Sequence, residues 1–185
     1  MKRHLSAVVI AGKKTQFTFL GARGDIYFSS ISLWTTQKKK PIFTHALAHG
    51  FYQFHSATEG LIETPRWITS ITSLPYSDLI ASGSWDGDVR IWKLDSSLKS
   101  FSLIGTVPAP GVVNSLQVLA VPDGAFAPDS WARQLEGQKK KNKVGMVLLV
   151  AGLGQEHRLG RWMTLKNHGV VNGTLAVAFH PRTLA

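Results

Sequence analysis

The residues best equipped for chemistry fall in one polar stretch late in the chain, Gly154-Gln155-Glu156-His157-Arg158-Leu159-Gly160-Arg161-Trp162. An arginine fork matches phosphate oxygens, and its plane stacks on bases, so Arg158 and Arg161 suit contact with RNA. His157 and Gln155 add donors and acceptors beside them. The same residues also permit a local reading, in which Glu156 pairs with a neighbouring arginine and orders the turn. A second basic group, Lys139, Lys140, Lys141 and Lys143, reads as a contact to RNA backbone, a nuclear-localisation patch or a solvated loop. Lys38, Lys39 and Lys40 read as a solvated turn between two strands.

Catalytic patterns fail on inspection. Gly152, Gly154 and Gly160 do not form a dinucleotide loop, because a strand rather than a helix is expected after them. Arg23-Gly24-Asp25 spells an adhesion tripeptide but reads as a turn. The seven histidines lack metal-ligand spacing, and no strained turn frames a nucleophilic serine. The absence of cysteine excludes disulfides, thiolate catalysis and cysteine-ligated zinc. No catalytic residue, cofactor, metal, membrane segment or small-molecule substrate is expected. With 44% apolar and 17% charged residues the composition is that of a folded protein, expected to be soluble and intracellular. Lys and Arg total 21 against 11 Asp and Glu, and a formal charge of +10 attracts polyanions.

The elements that must position these groups are strands. Leu79 to Ser84 reads as a strand, Trp85 to Asp88 as a turn built on Asp86-Gly87, and Val89 to Leu94 as a half-buried strand with alternating polarity. Trp67 to Leu74 precedes them and Ser102 to Val107 follows, so four strands joined by short turns form an antiparallel sheet. That sheet recurs: Ile31 to Trp34, Val89 to Trp92 and Leu159 to Trp162 each end in tryptophan. The tryptophans lie 58 and 70 residues apart. Stretches 51–66 and 123–143 read as inserted loops, and without them the spacings fall to 42 and 49 residues, near the roughly 40–45 of a propeller blade. A third blade is then expected from Val113 to Leu119, Val144 to Ala151, Leu159 to Leu165 and a last strand near Thr174 to Phe179. Trp34, Trp92 and Trp162 are expected to pack in the core.

Ser82 to Trp92 resembles the core of WD40 repeats, with degenerate dipeptides after each tryptophan: Trp34-Thr35, Trp92-Lys93 and Trp162-Met163. In that pattern Asp86 accepts a hydrogen bond from a histidine, and His49 in Ala48-His49-Gly50 is placed to supply it. The stretch Val150 to Trp162 replaces the ordinary Asp-Gly turn with a longer polar one. It resembles the last-blade segment of the WD-repeat subunit family of the U3 small nucleolar ribonucleoprotein. Lys39 to Ile42, Ala48 to Gly50, Trp67 to Ser70 and Val113 to Leu116 extend the resemblance from about Ile31 onward. It implies a non-catalytic protein of the nucleus and nucleolus that binds U3 small nucleolar RNA, beside a kink-turn-binding protein and other small-subunit processome proteins, and supports pre-ribosomal RNA processing. The alternative is a WD40 scaffold joining protein partners without RNA specificity.

The expected fold is an all-β WD40 β-propeller, incomplete, with about three four-stranded antiparallel blades. Residues 1–30 read as the remnant of an early blade, and 31–185 as C-terminal blades with the two insertions. Ile26 to Phe28 should begin a strand that Ile31 to Trp34 already supplies, which suggests a shortened chain joined near Tyr27 to Ser30. Seven blades require roughly 290 residues at the usual period. Expressed alone, a chain of this kind is expected to be poorly soluble, because open strand edges invite pairing.

Overall fold

The computed structural model describes residues 5–10, 17–22, 29–35, 38–122, 125–126, 130, 145–158, 163–165, 169–170 and 172–180. Every paired strand among them is antiparallel. β1 (Leu5–Ile10) pairs with β2 (Phe17–Ala22), and β3 (Ile31–Leu33) with β4 (Phe43–His45). β5 (Phe51–Ser56) and β6 (Gly60–Pro65) form a hairpin. β7 (Ser70–Ser73), β8 (Leu79–Gly83), β9 (Asp88–Leu94) and β10 (Phe101–Pro108) make a four-stranded blade in the order β10-β9-β8-β7. β11 (Val112–Val121), β12 (Met146–Gly154) and β13 (Gly173–Phe179) make a three-stranded sheet in that order. β2 lies beside β3, and β1 beside β7.

The central blade is buried on both faces, and the two-residue period of a strand assigns each side chain to one of them. Leu79, Ala81, Val89 and Ile91 join a core with Val113, Val118, Val147, Leu149, Ala151 and Phe179 of the next sheet. Ile80, Trp92, Leu94 and Phe101 turn the other way, toward Ile31, Leu33 and Ile68. Each large apolar side chain so buried contributes roughly 1.5–3 kcal/mol. This explains why β8 is apolar or small throughout: it has no solvent face. Gly87 closes the β8–β9 turn at φ 95°, which a side chain would resist.

The β7–β11 contact is close. A Cβ on Gly83 would fall on the Val113 side chain, with Ser70 Oγ at 2.9 Å. Thr69 Oγ1 lies 2.6 Å from Val113 O and 3.0 Å from Gly83 O, sharing its single proton, and Ser70 Oγ donates to Val113 O at 3.0 Å. Ser84 O accepts from Val113 N at 2.9 Å, so the two sheets are joined through backbone as well as apolar contact.

Two sequence expectations need correction. The 51–66 stretch, read as an inserted loop, is the β5–β6 hairpin. The strand expected at Leu159 to Leu165 has no place between its neighbours, because β12 pairs directly with β13 from Val147↔Phe179 to Leu153↔Gly173. β13 therefore occupies the third position of that sheet. The physical reason is that the polar stretch after Gly154 has no continuous apolar face to bury, whereas Gly173–Phe179 does. Residues 159–162 themselves lie outside the described residues, as do nearly all of 123–143 and the Ile26 to Phe28 segment.

Candidate nucleic-acid interface

Two polar systems hold the blades in place, and one presents a cation to solvent. The first is buried in the central blade. His49, fully buried, places Nδ1 2.8 Å from Asp86 Oδ2 and Nε2 2.9 Å from Ser82 Oγ. Trp92 Nε1 donates to the same Ser82 Oγ at 2.8 Å. The roles order themselves. The indole N–H can only donate, so Ser82 accepts from Trp92 and turns its own proton to His49 Nε2. His49 Nδ1–H then donates to the Asp86 carboxylate. Burial holds the His49 imidazole below its ordinary value against the opposing pull of Asp86, so the ring is neutral. Burial alone would raise the Asp86 carboxyl, but the His49 hydrogen bond, the nearby Arg90 cation and the Asp88 amide outweigh it and hold Asp86 below its ordinary value. Arg90 reaches Asp86 Oδ2 at 3.3 Å and donates to Ala48 O at 2.6 Å. This chain of donors ties the segment before β5 to the β8–β9 turn across 37 residues.

The second system is the turn after β12. The β11–β12 register shifts between Val113 and Ser115, which leaves Asn114 as the extra residue of a β-bulge. A bulge re-aims a side chain, and here it directs Asn114 toward the turn. Asn114 Nδ2 donates to Glu156 O at 2.8 Å, and Asn114 Oδ1 accepts from Arg158 N at 2.8 Å. Gln155 N donates to Asn172 Oδ1 at 3.0 Å, and Gln155 Nε2 to Val170 O at 2.7 Å. Gln155 O accepts from Leu165 N at 2.8 Å, and Glu156 forms an isolated bridge with Thr164. His157 is buried, and burial together with the Arg158 charge holds its imidazole below the ordinary value. Arg158 is exposed.

The structure thus brings Gln155, His157 and Arg158 together in one braced turn and separates their surroundings. Gln155 is engaged along its backbone and side-chain amide, His157 faces inward, and Arg158 faces water. Arg161, Trp162, Lys139, Lys140, Lys141 and Lys143 lie outside the described residues. Trp92 is buried in the core, Trp34 is half-buried, and Lys38, Lys39 and Lys40 are exposed. Asn114 and Asn172 are the residues that sequence reading missed. The only signal for them was Val113-Asn114-Ser115, a polar residue interrupting a strand. Among the described residues no cluster of three or more His, Asp or Glu side chains is arranged to hold a metal.

Comparison with known proteins gives a consistent picture. The model of the WD domain, G-beta repeat, matches residues 60–93. Ribosomal RNA-processing protein 9 of Saccharomyces cerevisiae is 35% identical over 151 residues, covering 72% of this chain. U3 small nucleolar RNA-interacting protein 2 of Homo sapiens is 33% identical over 137 residues, covering 74% of this chain. The chain spans 23% of the length of each of these relatives. Among solved structures, that of U3-55K superimposes with a TM-score of 0.61 at 26% identity, covering 92% of this chain and 41% of that one.

Proposed function

We propose, for a chain that belongs to the WD40-repeat proteins and is homologous over most of its length to the U3 small nucleolar RNA-interacting proteins, that it is a non-catalytic RNA-binding part of a U3 small nucleolar ribonucleoprotein acting in pre-ribosomal RNA processing. Within it, the turn after β12 is the RNA contact. The observation that carries this reading is the clamp on Arg158. Its backbone N–H is held by Asn114 while its side chain is exposed, so the guanidinium is offered to a phosphate or base from a fixed backbone. A preorganised cation loses less freedom on binding than one on a loose loop. Gln155 and His157 order the turn, and Arg161, Lys139, Lys140, Lys141 and Lys143 add positive charge that favours a polyanion.

The remaining partners follow from the same reading: a kink-turn-binding protein and other processome proteins, in the nucleolus. The test is crosslinking and recovery of RNA with the full-length protein. U3 RNA should be enriched, and Arg158→Glu with Arg161→Glu should deplete it. Recovery of proteins with no U3 RNA would instead favour a WD40 scaffold without RNA specificity. Unchanged U3 recovery in the charge-reversed protein would remove the turn from the interface.

A further inference from the structure

The β5–β6 hairpin is built unlike the blades around it. Apart from each other, β5 and β6 pair with no strand among the described residues, so each offers an unpaired backbone edge. Its large apolar side chains are exposed: Phe51 39%, Tyr52 41%, Phe54 41% and Leu61 53%. Isolated two-stranded hairpins are marginal in water, yet the base of this one is anchored. Tyr52 stacks near Phe54 with centroids 5.7 Å apart and packs on Trp85 at 5.1 Å. Trp85 in turn meets Trp67 at 5.4 Å, with Arg66 Cζ 5.5 Å from its ring. Trp85 Nε1 and Arg66 Nε are buried atoms with no hydrogen-bond partner. The hairpin is therefore held out from the four-stranded blade on an aromatic base that is itself only partly satisfied.

Its charge is opposite to that of the chain. Residues 51–65 contain Glu59 and Glu63 and no Lys or Arg, within a chain of formal charge +10. Phosphate is repelled by such a segment, while a cationic peptide is attracted to it. Open edges, exposed aromatic rings at alternate positions and local negative charge are together the features that β-strand addition uses: main-chain pairing for affinity and side-chain contacts for choice.

We propose that the β5–β6 hairpin docks an extended protein segment in which lysine or arginine alternates with apolar residues, the segment adding as a third strand. The apolar residues of the incoming strand lie on the face that carries Tyr52, Phe54 and Ile62, and its basic residues on the opposite face with Glu63, toward the turn that holds Glu59.

The full chain is titrated with a fluorescein-labelled heptapeptide alternating lysine and valine, followed by anisotropy. Binding is expected at a Kd of about 1–100 μM, typical of a short unconstrained strand. Methylation of alternate peptide nitrogens should abolish it, because the added groups block main-chain pairing. Tyr52→Ala with Phe54→Ala should weaken it about tenfold or more. Glu59→Gln with Glu63→Gln removes exposed charge while a glutamine at 63 can still accept from Gln53, so it remains readable where the aromatic pair disturbs folding; it should weaken binding roughly threefold and remove most of the salt dependence. The proposal is overturned if the lysine–valine peptide does not bind, if a glutamate–valine peptide binds equally, or if the methylated peptide retains its affinity. It is also overturned if a labelled uridine dodecamer loses affinity in the aromatic variant, which would assign the hairpin to RNA. Sedimentation showing a dimer that the aromatic variant dissolves would assign it to a second copy of the chain.

Discussion

His49→Ala tests the buried donor chain most directly. The substitution removes the Nδ1–H that Asp86 accepts at 2.8 Å and the Nε2 that receives the Ser82 proton at 2.9 Å. A hydrogen bond to an ionised group is worth roughly 1.5–3 kcal/mol and a neutral one about 1 kcal/mol. The lost imidazole also leaves a void at a fully buried position, while Arg90, 3.3 Å from Asp86, keeps the carboxylate partly compensated. The expected destabilisation is therefore about 3–5 kcal/mol. Urea unfolding of the full chain, followed by tryptophan fluorescence with the m-value monitored, measures it. Asp86→Ala and the double variant complete a cycle, whose coupling should be about 1.5–3 kcal/mol. The pH dependence supplies a second readout. Because burial lowers the folded-state value of His49 below its ordinary 6.5, the unfolded chain takes up that proton first. Stability from this group is complete above about pH 6.5 and declines as pH falls through the folded value. Asp86, also held low, adds a further loss at more acid pH. A loss below about 1 kcal/mol in His49→Ala, simple additivity with Asp86→Ala, or stability that rises between pH 7 and 5 would refute the reasoning.

Three other perturbations check the remaining parts. Gly83→Ala should destabilise by about 1–3 kcal/mol, because its Cβ meets Val113 across the sheet junction; a melting temperature equal to the parent's would mean that the sheets separate freely there. Asn114→Ala should cost about 1–2 kcal/mol and speed amide exchange at Arg158, since it removes the partner of that N–H and of Glu156 O; unaltered exchange would show that the turn holds itself. Arg158→Ala in the full-length protein should weaken RNA binding and reduce the slope of log K against log salt by about 1, measured by filter binding; an unchanged slope would take Arg158 off the phosphate backbone.

How much of this was legible beforehand depends on where each residue's partners lie. The central blade was readable because its signals are local. Leu79 to Leu94 carries an apolar strand, an Asp-Gly turn and an alternating strand within sixteen residues, and β8 and β9 form there with few residues' difference in their bounds. His49 and Asp86 were paired from the repeat pattern despite a separation of 37 residues, and Nδ1 and Oδ2 meet at 2.8 Å. The hairpin at 51–65 was missed because neither of its faces is fully buried, so no hydrophobic period marks it. The last sheet misled for the opposite reason. The third strand of that sheet was expected at Leu159 to Leu165, but β13 pairs along β12, through a ladder between residues twenty or more apart.

The sequence by itself determined the class of fold, the central blade, the positive charge and the polar turn that sets this chain apart, since each is written in neighbouring residues or in composition. Only the tertiary structure decided which parts of that turn face water. Asn114, more than forty residues upstream, enters it through a bulge, and the register between β11 and β12 puts its amide against Glu156 and Arg158. The same packing buries His157 and leaves Arg158 exposed. Strand register and burial are set by non-local pairing, and no spacing within the turn encodes them.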